Sequence, residues 1–320
     1  MSTLNELGEK EAVRAVLSRL LPRGVVGMGD DAACVRIGSR YLVVSTDLIS
    51  KRTHIPDRMS AYQVGWMAAA VNLSDIAAMG AEPIGVVMAM GLPRSTGSDT
   101  LMDMVEGVTD CCESVSAKYL GGDTKECPEL TIAGTSLGLV RTDGLLKRSG
   151  AKEGDLLAVT GTVGLAGAAF HEMDLDDHDR RARKAALEPR PRIREGVLLS
   201  ASGCVTSCMD TSDGLAMSVH ELSNASGVGF EVMRDKVPVD PAAVAICEKY
   251  GKLVDDAALY SGGDYQLLFT IDPSGLGRLM SMMKDDVSVI GRATLERDVV
   301  LIGEGGKGPL PYKGYEHFKG

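Results

Sequence analysis

The chain has 320 residues, 44% of them hydrophobic and 24% charged, with a formal net charge of −10. That length exceeds the usual size of one hydrophobic core and sets the expectation of two domains. The acidic balance argues against nucleic acid as partner, and no apolar run approaches the roughly 20 residues that cross a bilayer. The N-terminal MSTLNELGEKEAV lacks a basic-then-apolar leader, which reads as a cytoplasmic protein.

In chain order, helices alternate with strands. Val13, Val16, Leu17 and Leu20 recur at helical spacing and predict a helix over 10–21. The turn VGMGDDAACV (26–35) follows, with Asp30 and Asp31 adjacent behind two glycines. Taken alone it is a solvated loop. Residues 41–49, 83–92 and 130–140 read as strands, separated by helices over 60–79 and 99–119. On the latter helix Leu101, Met104, Val105, Val108, Cys112 and Val115 share one face. Polar residues 141–155 interrupt the pattern, and the expected boundary there divides the chain into 1–144 and 145–320. The second half restarts with a strand at DLLAVTG and a helix near 163–172, followed by a helix at 214–225 and strands at 227–233, 265–271 and 287–293. RRARKAALEPRPRIR (180–194) reads as a solvated helix and a Pro-rich turn, with a phosphate-facing role as the alternative. Seven cysteines without a Cys-x-x-Cys pair read as reduced core thiols and not as a zinc site.

The acids carry the chemical signal. In the helix over 60–79, Val64, Ala68, Val71, Asp75 and Ala78 form one stripe, and Trp66, Ala70, Leu73 and Ala77 lie opposite, so the helix is buried on most sides. A carboxylate there is costly unless it is paired or bound to a metal. Asp47 ends the strand 41–49 after Ser45 and Thr46, at the carboxyl end where α/β sheets place ligands; a capping sequence is the alternative. LGGDT (120–124) sets Asp123 behind two glycines, a context that lets a phosphate approach the backbone. In MDTSDGL (209–215), Asp210 and Asp213 stand three apart at an expected helix start, hence on one face. An N-cap with a capping-box acid explains one of them well and the pair poorly.

Acids in Gly-rich turns, at a strand end and on a buried helix suggest hard cations with oxygen ligands. Magnesium is favoured over calcium, for which no EF-hand loop exists, and over zinc, since the five His are scattered. So many ligands imply nucleotide phosphates. The usual phosphate cradles are missing: there is no P-loop, no kinase H-R-D and D-F-G pair, and GTVGLAG (161–167) reads as a tight strand–helix turn.

GMGDDAA, STDL…H, VNLSDIAAMGAEP, GGDT, RSGAKEGD, DTSDGL, GGDYQLLFT and the terminal GYEHF occur in the order found in thiamine-monophosphate kinases, and the resemblance runs through nearly the whole chain. NLSDIAAMGA and GGDT are shared with the superfamily of aminoimidazole ribonucleotide synthetase and selenophosphate synthetase; GDDAA, SDGL and GYEHF narrow it to the thiamine family. The resemblance implies an α+β, two-domain chain with mixed and antiparallel sheets flanked by helices, and a homodimer formed through N-terminal strands that close into a barrel. It implies transfer of the ATP γ-phosphoryl to thiamine monophosphate with several Mg2+ ions. The metal ligands it implies are Asp30, Ser45, Thr46, Asp47, Asp75, Asp123, Asp210 and Asp213. ATP contacts fall on Gly122, Asp123, Arg148 and Ser212, and acceptor contacts on His54, Gly263 and Tyr315. Catalytic weight rests on Asp75, Asp210 and Arg148, while Asp31 is expected to orient its loop.

Some positions depart from the family pattern. KRTHI (51–55) stands where the family reads EGVHF, Gly263 where a substrate-contacting Glu is expected, and Val115 where a nucleotide-contacting Tyr is expected. Two other readings stay open on sequence: another ATP-using synthetase of the superfamily, and a nucleotide-binding regulator without turnover. For the kinase the acceptor is a phosphate oxygen with a second pKa of about 6, already largely ionised at neutral pH. No histidine is then needed as a base, and His54 is expected to position the acceptor.

Overall fold

The computed structural model describes residues 3–20, 26–173, 180–284 and 286–318. Leu21, at the end of the expected first helix, and His178 lie outside them, as do the side chains of Leu20 and His171.

The first half builds one sheet from β1 (Ala33–Ile37), β2 (Arg40–Ser50), β3 (Glu82–Leu92), β4 (Lys118–Glu126) and β5 (Thr131–Arg141). Their spatial order is β1-β2-β5-β3-β4, with β3 and β4 parallel and the other pairs antiparallel. Along β5, Ile132, Gly134, Ser136, Gly138 and Val140 are buried and every intervening residue is half-buried. That period of two marks a sheet with one fully covered face. The cover consists of the helices Ala61–Ala78 and Ser98–Ser114. They cross with backbones almost touching, since a Cβ on Gly65 would stand 1.8 Å from the Met104 carbonyl oxygen and one on Gly107 1.9 Å from that of Tyr62. The first of these helices opens with a capping box between Ser60 and Gln63. Val35, Ile37, Leu48 and Val87 project from the opposite face, 38–56% exposed.

The second half forms a sheet from β6 (Leu156–Thr160), β7 (Val205–Asp210), β8 (Gly229–Met233), β9 (Leu267–Ile271), β10 (Val287–Thr294), β11 (Val299–Gly303) and β12 (Gly306–Pro309). The order is β12-β11-β8-β10-β6-β9-β7, parallel at β8–β11 and antiparallel at the other pairings. The result is the expected α+β chain with mixed sheets. The halves interlock through the Ala61–Ala78 helix. A Cβ on Gly196 would stand 2.1 Å from the Ala77 carbonyl oxygen, Ser74 Oγ donates to Asp210 Oδ2 at 2.5 Å, and Leu146 N–H donates to the Met79 carbonyl at 3.3 Å. This joint sets Asp75 beside the end of β7.

Several elements differ from the sequence reading. The helix expected over 99–119 stops at Ser114, and LGGDT lies within the edge strand β4, not in a turn. Among the described residues β4 pairs only with β3, and it is largely exposed, so it carries no alternating apolar pattern to announce it. Asp210 ends β7, and Gly214 is the N-cap of the helix Leu215–Ser226. Asp210 and Asp213 therefore do not share a helix face. The basic helix Arg180–Leu187 is not solvated all round, because it buries Ala182, Ala186 and Leu187.

Candidate active site

Strand alternation decides which side chains of STD can meet. Ser45 and Asp47 point to the helix-covered side of β2, whereas the Thr46 hydroxyl lies on the other side and donates to the Gly134 carbonyl at 2.6 Å. The Asp47 N–H donates to Asn72 Oδ1 at 3.0 Å. Asn72 is fully buried, and its amide also donates to the Ala68 carbonyl at 2.9 Å. Gly134 makes room for it, since a Cβ there would be 2.3 Å from Asn72 Nδ2. Across from β2, Asp75 Oδ2 accepts from Ser45 Oγ. Asp210 accepts from Ser74 Oγ on one oxygen and from Ser212 Oγ, at 2.8 Å, on the other.

Asp31 completes the cluster. Its Oδ1 accepts from Arg148 Nη2 at 2.7 Å, and its Oδ2 is buried with no hydrogen-bond partner among the described residues. Oxygens from Asp31, Asp75 and Asp210 lie within 4.8 Å of one another. Burial first, then the charges of Asp47, Asp210 and Asp31, push Asp75 well above the usual carboxylate range, against the Ser45 hydrogen bond. Burial and Asp31 push Asp210 up to about 6 despite its bonds from Ser74 and Ser212. Burial also raises Asp47, opposed by a hydrogen bond to Asp75. Burial works against the Arg148 charge, but Asp31 holds the guanidinium protonated. One guanidinium does not balance this many carboxylates. An oxygen-only donor set with an orphaned buried oxygen fits a hard divalent cation such as magnesium.

The adjacent acids of the opening turn divide their roles. Asp30, expected as a ligand, accepts the backbone N–H of Arg148 on Oδ1 at 2.8 Å, while Asp31, expected as the orienter, faces the cluster. Asp213 lies in the turn before the helix Leu215–Ser226, with Lys10 Nζ 2.5 Å from Oδ2. Asp123 sits on the exposed edge of the first sheet, where Oδ1 accepts from the Thr124 N–H at 2.9 Å. It is not among the three clustered acids. Gly122 has a structural reason, because a Cβ there would be 1.7 Å from the Met88 carbonyl oxygen.

His54 shares a 2.7 Å hydrogen bond between Nδ1 and Thr53 Oγ1. Its ring centroid is 5.1 Å from that of His317 and 6.3 Å from that of Tyr315, and burial with the neighbouring His317 pushes it down to about 4. The Tyr315 N–H donates to the Asp213 carbonyl at 3.0 Å, which ties this aromatic group to the acids. Gly263 has φ 98°, donates to the Ser212 carbonyl, and would place a Cβ 3.3 Å from the Phe170 ring. Val115 packs against the core at the end of the helix Ser98–Ser114. In GTVGLAG, Asp264 accepts the N–H groups of Gly164 and Ala166 at 2.6 and 3.1 Å, so a carboxylate of the chain itself caps that helix start.

Sequence reasoning missed Asn72, Ser74, Tyr265 and Lys10. Asn72 and Ser74 carried a usable signal, as polar residues on a helix with apolar residues on every side. Tyr265 is pushed far up by burial and by Asp210, Asp47, Asp213 and Asp75, and its φ of 47° is not readable from sequence.

The AIR synthase related protein N-terminal domain model matches residues 29–140, and the C-terminal domain model matches 152–304. A thiamine-monophosphate kinase of Methanospirillum hungatei is 38% identical over 90% of this chain and 92% of its own length. That of Pyrococcus horikoshii is 34% identical over 92% and 91%. A solved structure described as AaThiL complexed with AMPPCP and TMP covers 99% of both chains with a TM-score of 0.88 at 29% identity. The hydrogenase maturation protein HypE, at 19% identity, TM-score 0.74 and coverage of 91% and 96%, shares the fold alone. With this likeness along nearly its full length, the chain belongs to the thiamine-monophosphate kinase family.

Proposed function

We propose that this protein transfers the γ-phosphoryl group of ATP to thiamine monophosphate, giving thiamine diphosphate and ADP, with magnesium as its metal. The observation that carries the reading is the meeting of Asp31, Asp75 and Asp210, together with an aromatic group of His54, Tyr315 and His317 joined to Asp213 through the Tyr315 N–H, in a chain of this family. A relative's structure with an ATP analogue and TMP supports the donor and the acceptor. Bound magnesium would neutralise and align the reacting phosphates for in-line transfer.

The chain's own residues divide the remaining work. Asp31, Asp75 and Asp210 hold the metal, joined by Asp30, Asp47, Asp123 and Asp213 and by oxygens of Ser45 and Thr46. Gly122, Asp123, Arg148 and Ser212 receive the nucleotide. Ser74 and Asn72 fix the carboxylates and the strand end that carry the ligands. His54, Tyr315 and Gly263 receive the acceptor, with His54 and Tyr315 positioning it. The nucleophile is an oxygen of the acceptor's phosphate, ionised above a pKa of about 6. No base has a proton to remove, and a His54 held near 4 stays neutral at physiological pH.

We place the domain boundary between residues 144 and 145, in the segment linking the two sheets. The open face bearing Val35, Ile37, Leu48 and Val87 is proposed to pair with a second copy of the chain, since a monomer would leave it in water. Among the described residues no helix is long and apolar enough to cross a membrane, which accords with a cytoplasmic location. The test is purified protein with ATP, Mg2+ and thiamine monophosphate, followed by phosphorus NMR. Thiamine diphosphate is the expected product. Phosphorylation of free thiamine only, or of an unrelated phosphorylated acceptor, would overturn the substrate reading.

A further inference from the structure

The helix Glu9–Leu20 delivers an ammonium group to the acid-lined site. Lys10 Nζ is 2.5 Å from Asp213 Oδ2, with 22% of the lysine side chain exposed. The start of this helix is fixed to the C-terminal segment: the Lys10 N–H donates to Glu316 Oε1 at 3.4 Å, and the His317 N–H donates to Glu9 Oε2 at 3.0 Å. Tyr315 in turn donates from its backbone to the Asp213 carbonyl. Lys10, Asp213, Tyr315 and His317 thus form one corner, and the ring of His54 closes it at 5.1 Å from that of His317.

An ammonium group has three donors. Lys10 spends one on Asp213 and makes no other side-chain hydrogen bond among the described residues. Arg148 meets Asp31 through Nη2 and, among the described residues, keeps an unpartnered Nε for the nucleotide phosphates. A doubly charged phosphate offers a stronger partner than one carboxylate, and a metal ion at Asp213 competes with the ammonium for the same oxygen. We propose that Lys10 anchors the phosphate of the acceptor, so that the site selects a phosphomonoester over the corresponding free alcohol. This inference rests on the kinase reading. It assigns Lys10 to the acceptor, while Arg148 and the metal ligands serve the nucleotide.

Wild-type turnover is read first, because failure to form thiamine diphosphate would sink the kinase reading itself. If turnover is present, binding of thiamine monophosphate and of thiamine to the Mg2+-loaded protein without ATP is titrated calorimetrically for wild type, Lys10→Met and Lys10→Arg. The expected result is a loss of about tenfold or more in thiamine monophosphate affinity for Lys10→Met, partial rescue by Lys10→Arg, and unchanged thiamine binding. The KM for ATP should move by less than about twofold. Equal losses for both ligands, or no loss in a folded Lys10→Met protein, would refute the role. Acetic anhydride labelling of the wild type needs no variant to fold. Thiamine monophosphate should shield Lys10 from acetylation and thiamine should not; equal labelling with either ligand would also overturn the proposal.

Discussion

Replacing Asp210 by Asn tests whether the acid cluster is built for a cation. The residue is 2% exposed, and burial together with Asp31 moves its carboxyl from 3.8 to about 6. At about 1.4 kcal/mol per pH unit, that displacement is about 3 kcal/mol of ionisation penalty in the folded, metal-free protein. The sign follows from proton binding. Between pH 3.8 and about 6 the folded state keeps a proton that the unfolded chain has lost, so stability falls as pH rises through this window. The whole penalty is present above it. Asparagine removes the charge, keeps an acceptor for Ser212, and disturbs the bond from Ser74 at a cost of about 1 kcal/mol. Metal-free Asp210→Asn should therefore be more stable than wild type by about 2 kcal/mol at pH 8, with the gain fading towards pH 4. Urea unfolding in EDTA across that range measures it. Turnover should collapse, and Mg2+ should raise the melting temperature of the wild type but not of the variant. A variant less stable than wild type at pH 8, or one with an unchanged stability–pH profile, would refute the reasoning.

Asp75→Asn should abolish turnover while leaving the metal-free protein at least as stable, because its charge is opposed first by burial and then by Asp47, Asp210 and Asp31; a collapsed melting temperature in EDTA would make Asp75 a structural partner instead. His54→Ala should raise the acceptor KM more than it lowers kcat and keep the acidic limb of the pH–rate profile. Loss of that limb with substrate affinity intact would identify His54 as a base. Gly263→Glu should destabilise the protein by about 1 kcal/mol or more, since φ is 98° and the Phe170 ring stands 3.3 Å from the new Cβ; unchanged unfolding in urea would show that the turn tolerates a side chain. Leu48→Asp, on the open sheet face, should convert a dimer to monomer in light scattering. A wild type already monomeric at micromolar concentration would remove that interface.

Much of the fold was legible where an element is long and strongly patterned. The helix expected over 60–79 is Ala61–Ala78, and the strands expected at 83–92 and 130–140 are Glu82–Leu92 and Thr131–Arg141. Central position in a sheet enforces alternation, and burial on all sides keeps a helix apolar. At the edges both constraints relax. β4 and β12 are mostly exposed and Gly-rich, and β1 has three exposed residues of five, so none repeats at a period that propensity reasoning detects. Asp210 was assigned to a helix start because MDTSDGL has the local chemistry of a cap. The antiparallel partner that makes its first residues a strand is β9, which lies far along the chain.

The site follows the same division between local and distant causes. Asp75 was legible because a charge on an apolar helix is a local anomaly, and Asn72 and Ser74 are the same anomaly in uncharged form. Which of Asp30 and Asp31 stands with Asp75 and Asp210 was not legible, since neighbouring residues with the same chemistry are told apart only by what they face. What they face is Arg148, whose backbone N–H takes Asp30 and whose guanidinium takes Asp31. That arginine lies within the segment between the two sheets, which is held to β7 by the Cys208 N–H on the Lys147 carbonyl and to the end of the Ala61–Ala78 helix by the Leu146 N–H on the Met79 carbonyl. The cluster therefore exists only once the halves have packed, through Ser74 on Asp210 and Gly196 against Ala77. Gly196→Leu would test this dependence. Forcing a side chain into a 2.1 Å approach should separate Asp75 from Asp210, weakening Mg2+ binding while each sheet keeps its own core. If metal affinity survived such a wedge, the cluster would have to be assembled within one half alone.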